Sequence, residues 1–157
     1  MEHIDHIGIA VTDLESAVDT YERLLDRECY KREMVEDQKV ETAFFKTGQS
    51  KVELLGATSS DSVIAKYVQK KGEGMHHVAF EVDDIHAELD RLREEGFTVL
   101  TDEPKRGADN KLVAFVHPKD NHGVLVGGVR SIRRVRSSFA ILTTIFVSLI
   151  SGRGSAR

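Results

Sequence analysis

Two histidines and a glutamate are the residues of this chain whose types and spacing could hold a divalent cation. His6 opens the stretch His6-Ile7-Gly8-Ile9-Ala10-Val11-Thr12-Asp13-Leu14, and His77 opens His77-Val78-Ala79-Phe80-Glu81-Val82-Asp83-Asp84-Ile85. Counted from each histidine, apolar residues recur at plus one, three, five and eight, with aspartate at plus seven (Asp13, Asp84). Neutral imidazole suits Zn²⁺, Co²⁺, Ni²⁺ or Mn²⁺. Taken alone, either histidine reads first as a hydrogen-bonding group inside a sheet. Their equivalence within a repeat argues for a shared site.

The same repeat indicates where a carboxylate ligand would lie. Glu53 sits among apolar residues in Lys51-Val52-Glu53-Leu54-Leu55, 47 residues after His6. It is either a ligand or a solvent-facing edge residue. Alternation sets Leu55 on its face and Val52 and Leu54 on the other, which favours a buried carboxylate with a partner. In the second unit the equivalent strand is Gly123-Val124-Leu125-Val126-Gly127. Its matching position is Gly127, 50 residues after His77, and no Asp, Glu or His follows Gly123. Internal symmetry therefore predicts a four-ligand site with one corner lacking a side chain.

The elements that must position these groups come from periodicity. Ile4 to Val11 reads as a strand with His6, Gly8 and Ala10 on one face. Asp13 is placed to cap a helix running to about Leu25 through Leu14, Ala17, Val18 and Tyr21. Strands are expected at Cys29 to Val35, Glu41 to Thr47 and Lys51 to Leu55. A helix over Ser62 to Lys70, capped by Ser60 or Asp61, links the units, and Lys71-Gly72-Glu73-Gly74 ends it. The second unit repeats the order: strand His77 to Val82, a helix capped by Asp84 and stopped at Gly96, then strands at Phe97 to Leu100, Leu112 to His117 and Val124 to Val126. The expected fold class is α+β, with two tandem βαβββ modules forming a cupped mixed sheet. The modules are placed at about 3–57 and 75–126, with the linking helix at about 61–71, in a single domain over 1–126.

Composition bounds the rest. The chain has 157 residues, 40% hydrophobic and 31% charged, as expected of a globular domain with a proper core. A single cysteine, Cys29, excludes an intramolecular disulfide and multi-cysteine metal sites. With no signal peptide legible at the N-terminus, the expected location is the cytoplasm. The net charge of −4 is uneven: six of the 22 basic residues and none of the 26 acidic ones fall from residue 127 onward, leaving −10 on the first 126. An acidic body argues against nucleic acid as a partner. From Gly127 to Arg157 the chain is an atypical tail, arginine-rich and then apolar. Its uncharged run Phe139 to Ile150 is 12 residues long, well short of the roughly 20 a spanning helix needs, so a membrane anchor is not expected. The run reads instead as a β-prone, aggregation-prone appendage.

Several segments together resemble the methylmalonyl-CoA epimerase family of the vicinal oxygen chelate (glyoxalase) superfamily. They are His6 to Val11, Asp37-Gln38-Lys39-Val40, Val52-Glu53-Leu54-Leu55, Gly72 to Ile85 with its paired His76-His77, and His117-Pro118-Lys119, so the likeness spans residues 1–126 almost continuously. The resemblance implies one divalent metal held by His6, Glu53 and His77 in the cup, methylmalonyl-CoA or a related acyl-CoA as partner, and a homodimer. It also implies a fourth ligand, a glutamate, where this chain has Gly127, and in some members a catalytic glutamate where it has Thr42. The family reaction inverts the carbon between a carboxylate and a thioester. That chemistry needs an electrophile for the enolate charge and acid and base groups on opposite faces. The expectation is an epimerase by descent with impaired activity. The family pattern, the lysine content and the hydropathy all change within about ten residues of Gly127, which favours a single event such as a shifted reading frame. The alternatives are a non-catalytic acyl-CoA or metal-binding module, or another metalloenzyme of the superfamily such as a lactoylglutathione lyase.

Overall fold

The structure is a computed structural model and describes residues 1–132. Eight strands and three helices follow in the order β1 (Ile4–Val11), α1 (Leu14–Leu25), β2 (Lys31–Val35), β3 (Val40–Thr47), β4 (Ser50–Ala57), α2 (Val63–Lys71), β5 (Gly74–Glu81), α3 (Ile85–Glu94), β6 (Lys105–Gly107), β7 (Lys111–Val116) and β8 (Val126–Ser131). All strands join one mixed sheet in the order β2-β3-β4-β1-β5-β8-β7-β6. Each module is βαβββ, with its last strand parallel to its first (β1 with β4, β5 with β8), and the modules meet through antiparallel β1 and β5. A pseudo-twofold axis thus passes between the two histidine-bearing strands. The sheet curls into a nearly closed cup.

Helices α1 and α3 cover the outer face because their apolar stripes have nowhere else to be buried, while Ile64 of α2 packs against Ala10, Val40 and Leu55 beside the cup. Val18 of α1 packs with Ala43, Phe45 and Leu54 of β3 and β4, and Ile85 and Leu89 of α3 pack with Val82 and Ala114. Both helices begin as expected, with the Asp13 carboxylate accepting from Ser16 N–H and the Asp84 carboxylate from His86 and Ala87 N–H. For α2 the cap is Ser62, whose Oγ accepts from Ala65 N–H. Asp61 instead receives the Lys39 ammonium and the Ser59 hydroxyl at the surface.

Two strands of the second module differ from expectation. Val99 makes only an isolated bridge to Val116, and the edge strand is β6, further along at Lys105–Gly107. A charged, three-residue edge strand has little period-two signal, while its hairpin partner β7 defines it in space. The last strand starts at Val126 and continues through the expected tail boundary to Ser131, since Gly127, Gly128 and Val129 are buried between β5 and β7. The apolar run Phe139 to Ile150 lies outside the described residues.

The tip of the β6–β7 hairpin closes the cup's gap. Asp109, at φ 58°, reaches Lys31 of β2 at 3.0 Å and Lys51 of β4 at 2.7 Å, and its N–H donates to Glu33 at 2.9 Å. Lys51 and Lys31 hold the Asp109 carboxyl below its ordinary pKa against the opposing effect of burial, which is the largest single influence on it.

Candidate metal centre in the cup

His6, Glu53 and His77 come from three strands that are adjacent in the sheet, β1, β4 and β5, and all three are buried. Their free atoms converge: His6 Nε2 is 2.9 Å from His77 Nε2 and 3.2 Å from Glu53 Oε2, and His77 Nε2 is 3.6 Å from the same oxygen. Nitrogen and oxygen ligands lie about 2.0–2.2 Å from a zinc-like ion, so two ligands sharing one at angles between 90° and tetrahedral are about 2.9–3.4 Å apart. The three side chains fit one divalent ion on spacing and on donor type.

Electrostatics agree with that fit. Burial pushes the Glu53 carboxyl above its ordinary pKa, with His6 and Lys51 opposing the shift. Burial, then the neighbouring His6 and His76 rings, holds His77 well below the usual imidazole range, so its ring stays neutral. A buried carboxylate beside a neutral imidazole is costly unless a cation joins it.

A cavity of about 70 Å³ lies over these groups, walled by Thr42, Phe44, Lys51, Val113 and Phe115. It shares Gln38, Val40, Leu55 and Phe115 with a wider groove of about 690 Å³ that runs along the start of α2. Thr42 is almost fully buried, while Glu41 lies half-buried on the other side of β3, 3.8 Å from Arg32, as alternation requires.

Registers place Gly127 where the repeat demands. In the first module Gly8 pairs with Glu53, which pairs with Phe44; in the second Ala79 pairs with Gly127, which pairs with Phe115. Gly127 is therefore the structural counterpart of Glu53. The Phe115 ring leans into its space: a Cβ at Gly127 would lie 2.9 Å from Phe115 Cε1, and the same ring meets His77 edge to face at a centroid distance of 5.3 Å.

Residues 5–115 match the sequence profile of the Glyoxalase/Bleomycin resistance protein/Dioxygenase superfamily. The ethylmalonyl-CoA/methylmalonyl-CoA epimerase of Cereibacter sphaeroides is 42% identical over 125 residues, covering 78% of this chain and 93% of that one. Human mitochondrial methylmalonyl-CoA epimerase is 40% identical over 124 residues, covering 78% and 70%. This chain belongs to the methylmalonyl-CoA epimerase family. A variant of Streptomyces coelicolor methylmalonyl-CoA epimerase, solved in complex with 2-nitronate-propionyl-CoA, superposes with a TM-score of 0.79 at 40% identity over 84% of this chain and 96% of that chain. The epimerase fold, the cupped eight-stranded sheet with three helices, is thus shared through the described region.

Within this epimerase scaffold, sequence reasoning missed a second layer of polar groups. Asp5 Oδ1 receives His6 Nδ1–H at 2.7 Å and lies 3.3 Å from Lys51 Nζ, and its other oxygen takes the Lys111 ammonium. Lys111 also donates to Glu81 at 2.9 Å. Burial opposes ionisation of Asp5, but the His6 hydrogen bond and the two lysines outweigh it and keep the carboxylate ionised far below its usual range. On the other side His76 Nδ1 is 3.0 Å from His77 Nδ1. The available signal was a polar residue directly before each histidine, where strict alternation would expose one of the two. No helix among the described residues is long and apolar enough to cross a membrane.

Proposed function

We propose that this chain binds methylmalonyl-CoA or a closely related acyl-CoA over a divalent metal held by His6, Glu53 and His77, and that it epimerises the carbon between carboxylate and thioester far more slowly than its relatives do. The convergence of His6 Nε2, His77 Nε2 and Glu53 Oε2 within 3.6 Å of one another carries the metal assignment. The substrate class rests on the kinship and on the cavity and groove leading to that point. When bound, the ion would supply a Lewis acid for the substrate oxygens and for the charge of the enolate. Phe44, Val113, Phe115 and Leu55 wall the cavity with apolar surface and exclude water from the reacting carbon. Asp5 holds His6, and Lys51 and Lys111 neutralise Asp5 behind it.

Slow turnover follows from which groups can move the α proton. Exchange at that carbon needs an acid and a base on opposite faces. Where the family likeness places carboxylates, this chain has Gly127 and Thr42, leaving Glu53 as the carboxylate nearest the histidines in the cavity. Losing even one catalytic group commonly costs orders of magnitude in rate. The same observation favours a second reading, a module that binds acyl-CoA without turnover. Measuring α-proton exchange of methylmalonyl-CoA into deuterated water with Co²⁺ present decides between them. Slow, Co²⁺-dependent exchange supports the impaired epimerase, binding with no exchange supports the module, and turnover equal to that of the Cereibacter relative overturns both. The reading also takes the two modules through β8 as one domain and the assembly as a homodimer, which sedimentation at several concentrations checks.

A further inference from the structure

Pairing between β1 and β5 is interrupted twice. Ile4 pairs with Phe80 and His6 with Ala79, two steps along β1 for one along β5; Gly8 pairs with His77 and Ile9 with Met75, one step along β1 for two along β5. The extra residues are Asp5 in the first bulge and His76 in the second. Each immediately precedes its histidine, and the two bulges lie on opposite strands, related by the pseudo-twofold axis that relates His6 to His77. In a regular strand the preceding residue points to the other face; a bulge can re-aim it. Here Asp5, though next to buried His6, is itself only 5% exposed, and both Asp5 and His76 reach the Nδ1 of the ring that follows.

We propose that Asp5 and His76 are a symmetry-related pair of positioning residues, each set by a β-bulge to hold the next histidine with Nδ1 protonated and Nε2 directed at the centre. An ionised carboxylate only accepts, so His6 must carry its proton on Nδ1, leaving Nε2 bare in the neutral ring. For His77 to present Nε2 as a ligand, its proton must also sit on Nδ1 and be donated to His76 Nδ1, which puts the His76 proton on its own Nε2. The Tyr67 ring packs edge to face against His76 at a centroid distance of 4.8 Å. The two supports are alike in geometry and unlike in chemistry: a carboxylate backed by Lys51 and Lys111 behind His6, and an imidazole behind His77. Outer partners of this kind orient a ligand ring and raise its basicity, the charged one more.

This inference rests on the metal-centre reading, and the test separates the two. Co²⁺ is titrated into the full chain and into Asp5→Asn, Asp5→Ala, His76→Gln and His76→Phe, followed by its visible absorption. Nitrogen-15 imidazole spectra of the Zn²⁺-loaded wild type locate the ring protons. Expected are Nδ1–H on both His6 and His77, a loss of Co²⁺ affinity of about 10–100-fold for Asp5→Ala and His76→Phe, and smaller losses for Asp5→Asn and His76→Gln, which keep an acceptor. If Asp5→Ala unfolds because Lys51 and Lys111 lose their partner, the pair at half-buried His76 decides. Variants that bind Co²⁺ as the wild type does, or a proton found on Nε2 of either ring, overturn the inference alone. A wild type that takes up no Co²⁺ overturns the metal centre and this inference with it.

Discussion

The His77 imidazole lies across the place where a side chain on Gly8 would begin: a Cβ built on Gly8 falls 2.2 Å from His77 Cε1 and 2.8 Å from its Nε2. Gly8 and His77 are direct partners in the β1–β5 pairing, so neither backbone can yield without disturbing the centre. The small residue two positions after His6, on the same strand face, makes room for the other module's histidine. Gly8→Ala is expected to swing His77 off the centre, cost about 1–3 kcal/mol by overpacking and lower Co²⁺ affinity more than it lowers stability. Calorimetric titration of Co²⁺ beside urea unfolding checks both parts, and unchanged Co²⁺ binding would show that His77 is not a ligand.

Gly127→Glu restores a carboxylate at the fourth corner, at the expense of Phe115. Because the clash is with the ring edge at 2.9 Å, the ring can turn aside, and the double variant Gly127→Glu/Phe115→Leu removes the conflict. Both variants are expected to bind Co²⁺ more tightly than the parent, the double variant most. The rate of α-proton exchange should rise by about tenfold or more, as returning a catalytic group allows. No rise in either quantity for the double variant would mean that the corner is not part of the site.

The Asp84 cap gives a pH-dependent contribution to stability. Its carboxylate accepts from Ala87 and His86 N–H, and the Ala87 bond chiefly lowers its pKa in the folded protein. A folded-state value below the unfolded one stabilises at pH above the unfolded value, about 3.9, and the benefit is lost as pH falls through the folded value. Asp84→Ala should therefore melt at a lower temperature than the parent at pH 7, with the gap closing as the pH drops below about 4. A gap that stays constant across that range would refute the capping role.

Leu54 neighbours Glu53 on β4 but faces α1, fully buried against Val18, Ala43 and Phe45. Leu54→Ala is expected to cost about 2–5 kcal/mol through lost burial and a residual cavity. Co²⁺ affinity of the folded fraction should stay within a factor of a few, because Glu53 points into the cup on the opposite face. Urea unfolding and Co²⁺ titration of the same sample separate these effects. A large loss of affinity would show that the outer core, and not only the sheet, sets the Glu53 position.

Much of the scaffold was legible because its signals are local or repeated. The caps at Asp13 and Asp84, the helical stripes of α1 and α3 and the twin strands opened by His6 and His77 follow from periods of 3.6 and 2 and from the internal repeat. Glu53 could be singled out by its polar type on a buried strand face. The edge strand β6 was not legible, since three residues with two charges carry no pattern until Leu112 and Val113 pair with them. The run Phe97 to Leu100 looked like a strand because it is apolar, yet only Val99 finds a strand partner.

By itself the sequence determined the two-module plan, the three ligand-type side chains and the glycine at the fourth position, since residue identity and spacing are written directly in the chain. Only the tertiary structure decided that Asp5 and His76 turn toward the centre, that Gly8 serves His77, and that Phe115 leans over Gly127. Each of these depends on register between strands far apart in the chain, where one bulged residue reverses which face a side chain occupies. Such pairing energies are set by the whole sheet, and no local pattern of residues carries them.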